Sequence, residues 1–130
     1  MKKIQIGSRK HSIENVEQLF LDSGFSQKEI RLLKFIVRRF DENDTKFPDV
    51  ILKEQEFREL FSLSQKYYPS DVERALDGLS RKNVVLDDEY FVSRHPLLSA
   101  IEFIKDSIRL TLNPEMKSLL FELLSENKSV

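Results

Sequence analysis

Apolar residues recur along this chain at a helical period in its first two thirds and at a strand-like period further on. Between residues 26 and 40, Ile30, Leu33, Ile36, Val37 and Phe40 stand at helical spacing, so one side of a long helix is apolar and faces a core. Ser26 with Glu29 three residues later is a capping box, in which each side chain satisfies a free backbone N–H at the helix start. A short helix is predicted before it, from Ser12 to about Asp22, with Ile13, Val16, Leu19 and Phe20 on one side and Ser23-Gly24 as its end. After the turn-rich DENDTKFPD, Val50, Ile51 and Leu52 read as a short strand. A helix follows from near Lys53, burying Phe57, Leu60 and Phe61, with Glu54 and Glu56 placed against its partially positive N-terminus. Ser70-Asp71-Val72-Glu73 supplies a second capping box for a helix reaching about Asn83, in which Val72, Leu76 and Leu79 turn inward.

Beyond residue 83 the pattern changes. Residues 84–92 are rich in β-branched and aromatic side chains and predict one or two short extended pieces. Residues 100–112 predict a hairpin. With Asp106-Ser107 as its turn, Phe103 faces Leu110 and Ile101 faces Leu112 on an apolar side. Ile104 then faces Arg109, and Glu102 faces Thr111, on a mixed side. The turn lacks Asn-Gly, which leaves the register open by one residue. Asn113 as cap and Pro114 at the first helical position open a last helix, with Met116, Leu119, Leu120, Leu123 and Leu124 as its core face. Residues 1–11 are basic and poorly patterned and are expected to form a flexible arm. Residues 12–125 then make a single domain, and residues 126–130 a frayed tail.

Composition adds limits. The chain has 130 residues, 40% of them hydrophobic, which suits one domain with a real core. Its net charge of −1 gives no overall pull toward nucleic acid, but the charge is unevenly placed. The first 40 residues carry nine basic and four acidic side chains, while the remainder is acidic. The absence of cysteine excludes disulfide scaffolds, thiol catalysis and thiolate metal sites and fits a reducing cytoplasm. The start MKKIQIGSRK lacks the apolar run of a signal peptide, and no apolar stretch is long enough for a membrane span. A soluble, cytoplasmic protein without a membrane role is expected.

The order of elements, helices, short strand, helix, turn, helix, two-stranded wing, helix, is that of a winged helix. In ILKEQEFRELFSLSQKYYPSDVERALDGLSRKNVVL, the apolar-patterned ELFSLS leads into a second helix DVERALDGLSRKNV. LLSAIEFIKDSIRLTLNPEMKSLLFEL follows as a wing and a polar-Pro-Glu helix start. Together with SQKEIRLLKFIVRRF, these segments resemble the first winged-helix domain of the plasmid Rep initiator family, over about 100 of the 130 residues. The resemblance implies an α+β, mostly helical fold: a winged helix-turn-helix with an N-terminal helical extension. It also implies a tendency to dimerise and a part in plasmid replication or its control. In such initiators the first winged helix contributes to dimer formation and backbone contacts, and a second one reads repeated sequences. This chain has room for one, so a regulator of replication or conjugative transfer is expected in place of a full initiator.

Two surfaces are candidates for DNA. The helix from Ser70 occupies the recognition position of a helix-turn-helix, which would bring Tyr68, Ser70, Arg74, Arg81 and Lys82 toward a groove. Asp71, Glu73 and Asp77 on the same helix leave its outer face nearly neutral and repel phosphates. Arg31, Lys34, Arg38 and Arg39 repeat along the helix from Ser26 and, together with Lys2, Lys3, Arg9 and Lys10, make the stronger electrostatic candidate, the competing reading being a solvated face. Tyr67-Tyr68 either stacks on bases or braces a turn. Glu102, Ile104 and Arg109 on the mixed wing face are the candidate dimer contacts, with the wing's edge strand available to a two-fold mate. DNA held weakly and salt-dependently, a second copy of the chain, and a protein such as a replication initiator are the partners expected. His11 and His95 stand apart in sequence without metal-ligand spacing, and no phosphate loop or nucleophile elbow occurs, so neither enzyme activity nor a cofactor is expected. The alternatives to a DNA-binding regulator are a protein-interaction module without DNA binding and a winged-helix transcription repressor.

Overall fold

The computed structural model describes residues 2–40, 49–53, 55–56, 69–87, 91–105 and 107–126, without the side chains of residues 69–72 and 126. It begins where the sequence suggests an unpatterned arm. Lys2–Ile6 (β1) and Arg9–Ile13 (β2) instead form an antiparallel hairpin, closed by the pair Ile6↔Arg9 around Gly7-Ser8. Gly7 has φ +62, a region where a side chain would be strained. The pleat turns Ile4, Ile6, His11 and Ile13 inward and buries them. An isolated two-stranded hairpin is marginal in water. This one is held because β1 packs against the last helix. Ile13 therefore ends a strand, and the first helix starts later than Ser12, at Val16.

Helix α1 (Val16–Asp22) is capped by Asn15, whose side chain accepts from the Gln18 N–H at 2.9 Å. Helix α2 (Gln27–Val37) starts with the anticipated capping box: the Glu29 N–H donates to Ser26 Oγ at 3.1 Å, and the Ser26 N–H donates to Glu29 Oε1 at 2.8 Å. The helix stops at Val37, three residues short of Phe40, which stays buried in the turn that follows. Leu32 and Lys34 are buried in addition to the predicted stripe, because α2 is packed between α1, the recognition-position helix and the last helix. The Phe20 and Phe25 rings meet edge-on, 5.2 Å between centroids, at the α1–α2 corner.

Strand β3 (Val50–Lys53) is found as predicted. The helix expected next falls mostly outside the described residues, with residues 55 and 56 seen as helical. Helix α3 (Pro69–Arg81) begins at Pro69, so Ser70 lies inside its first turn and is not the cap. Leu76 and Leu79 are fully buried, as their spacing requires. Asn83–Asp87 (β4) and Val92–Pro96 (β5) pair antiparallel as a second ribbon, with Val84 opposite His95.

Leu98–Ile104 (β6) and Ser107–Leu112 (β7) form the wing, and β3 joins it in the order β3-β7-β6. The turn lies one residue earlier than Asp106-Ser107. Ile101 consequently pairs with Leu110, Glu102 with Arg109, Phe103 with Ile108 and Ile104 with Ser107. That slip moves each partner by two positions and so leaves every side chain on its predicted face. Val50, Leu52, Ile108, Leu110 and Leu112 turn inward. Asn113 then caps a short 3-10 turn (Pro114–Met116) that leads into α4 (Lys117–Glu126), whose Leu119, Leu120 and Leu123 are fully buried. Among the described residues strand positions are nearly as numerous as helical ones. The expectation of a mostly helical protein is corrected accordingly, chiefly by the N-terminal hairpin and the β4–β5 ribbon.

Candidate nucleic-acid and partner surfaces

Burial on three sides leaves α2 one exposed strip. Lys28, Arg31, Arg38 and Arg39 are exposed along it, with Phe35 half-buried among them. Not all of this charge is available. Arg39 is ion-paired with Glu56, and its guanidinium lies 5.6 Å from the centroid of the Phe35 ring. Lys34, expected on the outer side, is only 8% exposed and points its Nζ to Glu17, 3.7 Å away. Its position is corrected: the packing of α1 beside α2 covers the stem and supplies a carboxylate for the tip. Lys28, Arg31 and Arg38 remain, and among the described residues none of them has an ion-pair partner. They span about 15 Å at the ~1.5 Å rise of a helix.

The recognition-position helix has less to offer. Arg74 is exposed, but Glu73 and Asp77 are exposed with it. Arg81 Nε sits 3.3 Å from Asp77 one helical turn back. Lys82 does not reach outward: its Nζ donates to Glu29 Oε1 at 2.5 Å, a carboxylate that is 5% exposed and already caps α2. Lys82 is thus a pin between the end of α3 and the start of α2. Gly78 permits that approach, since a Cβ there would stand 2.6 Å from Glu29 Oε2. Tyr68 lies outside the described residues, and of Ser70 only its helical backbone is described.

The outer face of the β3-β7-β6 sheet is laid out by register. Ile51, Arg109 and Glu102 form one row across it, and Lys53, Ser107 and Ile104 form the next. Arg109 and Glu102 are 3.7 Å apart and well exposed. Ile104 has a companion that the hairpin pattern alone did not reveal. Once β3 joins the wing, Ile51 is 50% exposed on the same face as Ile104, which is 42% exposed. The alternation within Val50-Ile51-Leu52 was the available signal.

The two histidines come together at one junction. Both lie near the β2, β5 and 3-10 segments, His11 buried and His95 partly so. His95 Nε2 lies 3.0 Å from Ser93 Oγ. Burial lowers the His95 pKa, Glu115 pulls it back up, and His11 lowers it further. Among the described residues no three acidic or histidine side chains are arranged to hold a metal ion, and no helix is long and apolar enough to cross a membrane.

A core helix capped at α2, a helix at the recognition position, and a two-strand wing extended by β3 define a winged-helix domain. Comparison with known proteins makes this specific. The sequence matches the family described as Initiator Replication protein, WH1, over residues 15–129. The chain therefore belongs to the WH1 family of replication initiator proteins. Its fold is similar to the crystal structure of the MSBI1.176 WH1 domain, a replication protein isolated from a multiple sclerosis patient. That alignment has a TM-score of 0.54 and 13% identity and covers 84% of this chain and 90% of the other. No curated protein matches the sequence. The β1–β2 hairpin precedes the matched region.

Proposed function

We propose that this chain is a plasmid-linked, non-enzymatic regulator of replication or conjugative transfer, which lies on the DNA backbone through the exposed strip of α2. One observation carries the reading: Lys28, Arg31 and the C-cap Arg38, exposed and without an ion-pair partner among the described residues, lie along one strip of α2, whereas the outward charges of α3 cancel. A line of cations without base-reading partners favours phosphate contact, which positions a protein on DNA but carries no sequence information. Such binding is weak, salt-dependent and indifferent to sequence, and reading of origin repeats would fall to another module or to a partner initiator in the cytoplasm.

The test is fluorescence anisotropy on a short labelled duplex across a salt series. Each phosphate contact contributes about 0.9 to the slope of log K against log salt, so Arg31→Gln with Arg38→Gln lowers the slope by about 1.8. Arg74→Ala leaves it nearly unchanged. The reverse pattern, Arg74→Ala abolishing binding and the α2 pair leaving it intact, would transfer the site to the recognition helix and support a repressor.

A second reading is supported by the wing. Its edge strand β6 and the exposed Ile51, Glu102, Ile104 and Arg109 suit an interface with a second copy or an initiator, apolar side chains lying beside a charged pair on one face. Light scattering with and without duplex separates the two: a stable dimer indifferent to DNA at low salt favours protein interaction alone.

A further inference from the structure

The segment ahead of the family match carries charge as well as packing. Residues 2–13 contain Lys2, Lys3, Arg9 and Lys10 and no acidic residue. Two of the four cations are committed to the fold. Lys2 Nζ is 2.6 Å from Glu122 on α4, and the Arg9 guanidinium lies 4.3 Å from the centroid of the Phe91 ring, just ahead of β5. These contacts and the buried Ile4, Ile6 and Ile13 fasten the hairpin to the domain. The strand period sends Lys3, Gln5, Lys10 and Ser12 to the opposite face, and all four are exposed. Register places Lys3 opposite Ser12 and Gln5 opposite Lys10, making the two lysines diagonal neighbours. Their positions are then about 7–8 Å apart, the Cβ atoms somewhat closer. Gln5 Nε2 is occupied by Gly7 O at 2.8 Å, which braces the turn. Among the described residues neither Lys3 nor Lys10 has an ion-pair partner.

We propose that the outer face of the β1–β2 hairpin is a second contact for the DNA phosphate backbone, made by Lys3 and Lys10 and added to the WH1 domain by a segment outside the family match. The hairpin's own residues offer donors and cations and no carboxylate, which is the chemistry of phosphate contacts; the acidic groups Glu14, Asp22 and Asp87 gather around Ser12, toward the far end of β2 from Lys10. It is held in place by the core, so binding does not have to order a free arm and forgoes that entropic cost. The inference rests on the reading of this chain as a binder of the DNA backbone but concerns residues other than those of α2.

The experiment uses the full chain and the same labelled duplex over the same salt series, comparing wild type, Lys3→Gln with Lys10→Gln, and Arg31→Gln with Arg38→Gln. Circular dichroism establishes that each variant is folded. The hairpin variant is expected to lower the salt slope by about 1.8 and to weaken binding about 60-fold near 0.1 M salt. A hairpin variant with wild-type slope, alongside an α2 variant with reduced slope, overturns this proposal and leaves the α2 reading in place. A reduced slope only in the hairpin variant supports the hairpin and overturns α2. A wild-type chain that fails to bind duplex at low salt overturns both.

Discussion

Replacing Gly78 by alanine should destabilise this protein, although the same change in the middle of an exposed helix stabilises it. Helix propensity alone favours alanine by about 1 kcal/mol. Against that gain, the new Cβ would stand 2.6 Å from Glu29 Oε2 and 3.7 Å from its Cδ. Glu29 cannot simply swing away. It is 5% exposed, and its Oε1 accepts from the Ser26 N–H at 2.8 Å and from Lys82 Nζ at 2.5 Å. Displacing the carboxylate weakens the cap, worth about 1 kcal/mol, and a charge-assisted bond worth roughly 1.5–3 kcal/mol. The expected net loss is about 1.5–3 kcal/mol, or a fall in Tm of roughly 5–12 °C, read by thermal denaturation followed by circular dichroism. In a Glu29→Ala background the obstacle is gone, so Gly78→Ala should there stabilise by about 1 kcal/mol. A Gly78→Ala protein more stable than wild type, with the same gain in both backgrounds, would refute the argument that a pinned carboxylate occupies this space.

Other perturbations test other parts of the molecule. Burial holds His95 below its usual pKa despite Glu115, so its neutral form favours the fold; the contribution is complete above the unfolded value of 6.5 and is lost as pH falls through and below it. Urea titrations at several pH values should show that loss flattened in His95→Gln and steepened in Glu115→Gln, which removes the opposing attraction. Leu110→Ala at the centre of the wing sheet leaves a cavity at a fully buried site and should cost about 2–5 kcal/mol by chemical denaturation, whereas Ile51→Ala on the outer face should cost well under half of that. If the wing is a self-association surface, Ile104→Arg should convert a dimer into a monomer in analytical ultracentrifugation without lowering Tm by more than a few degrees; an unchanged mass would remove the wing from that role.

The amino-acid order alone determines the features whose causes lie within a few residues of each other. The Ser26–Glu29 box, the Asn113-Pro114 start, the inward Leu76 and Leu79, and the two faces of the wing are all local matters of capping and periodicity. Even the displaced wing turn preserves the faces, because a pairing shift of two residues respects the pleat. The N-terminal hairpin was missed: Ile4, Ile6 and Ile13 flank a Gly-Ser turn, but three apolar positions do not hold two strands together until α4 covers them. Only tertiary structure could decide which of the candidate cations remain available. Lys34 is taken by Glu17, Arg39 by Glu56 and Lys82 by Glu29, partners that lie 17 to 53 residues away in the chain. A charged side chain records its sign in the sequence, but whether a carboxylate meets it depends on how helices pack, and that packing is set by buried apolar area without regard to which charges it brings together.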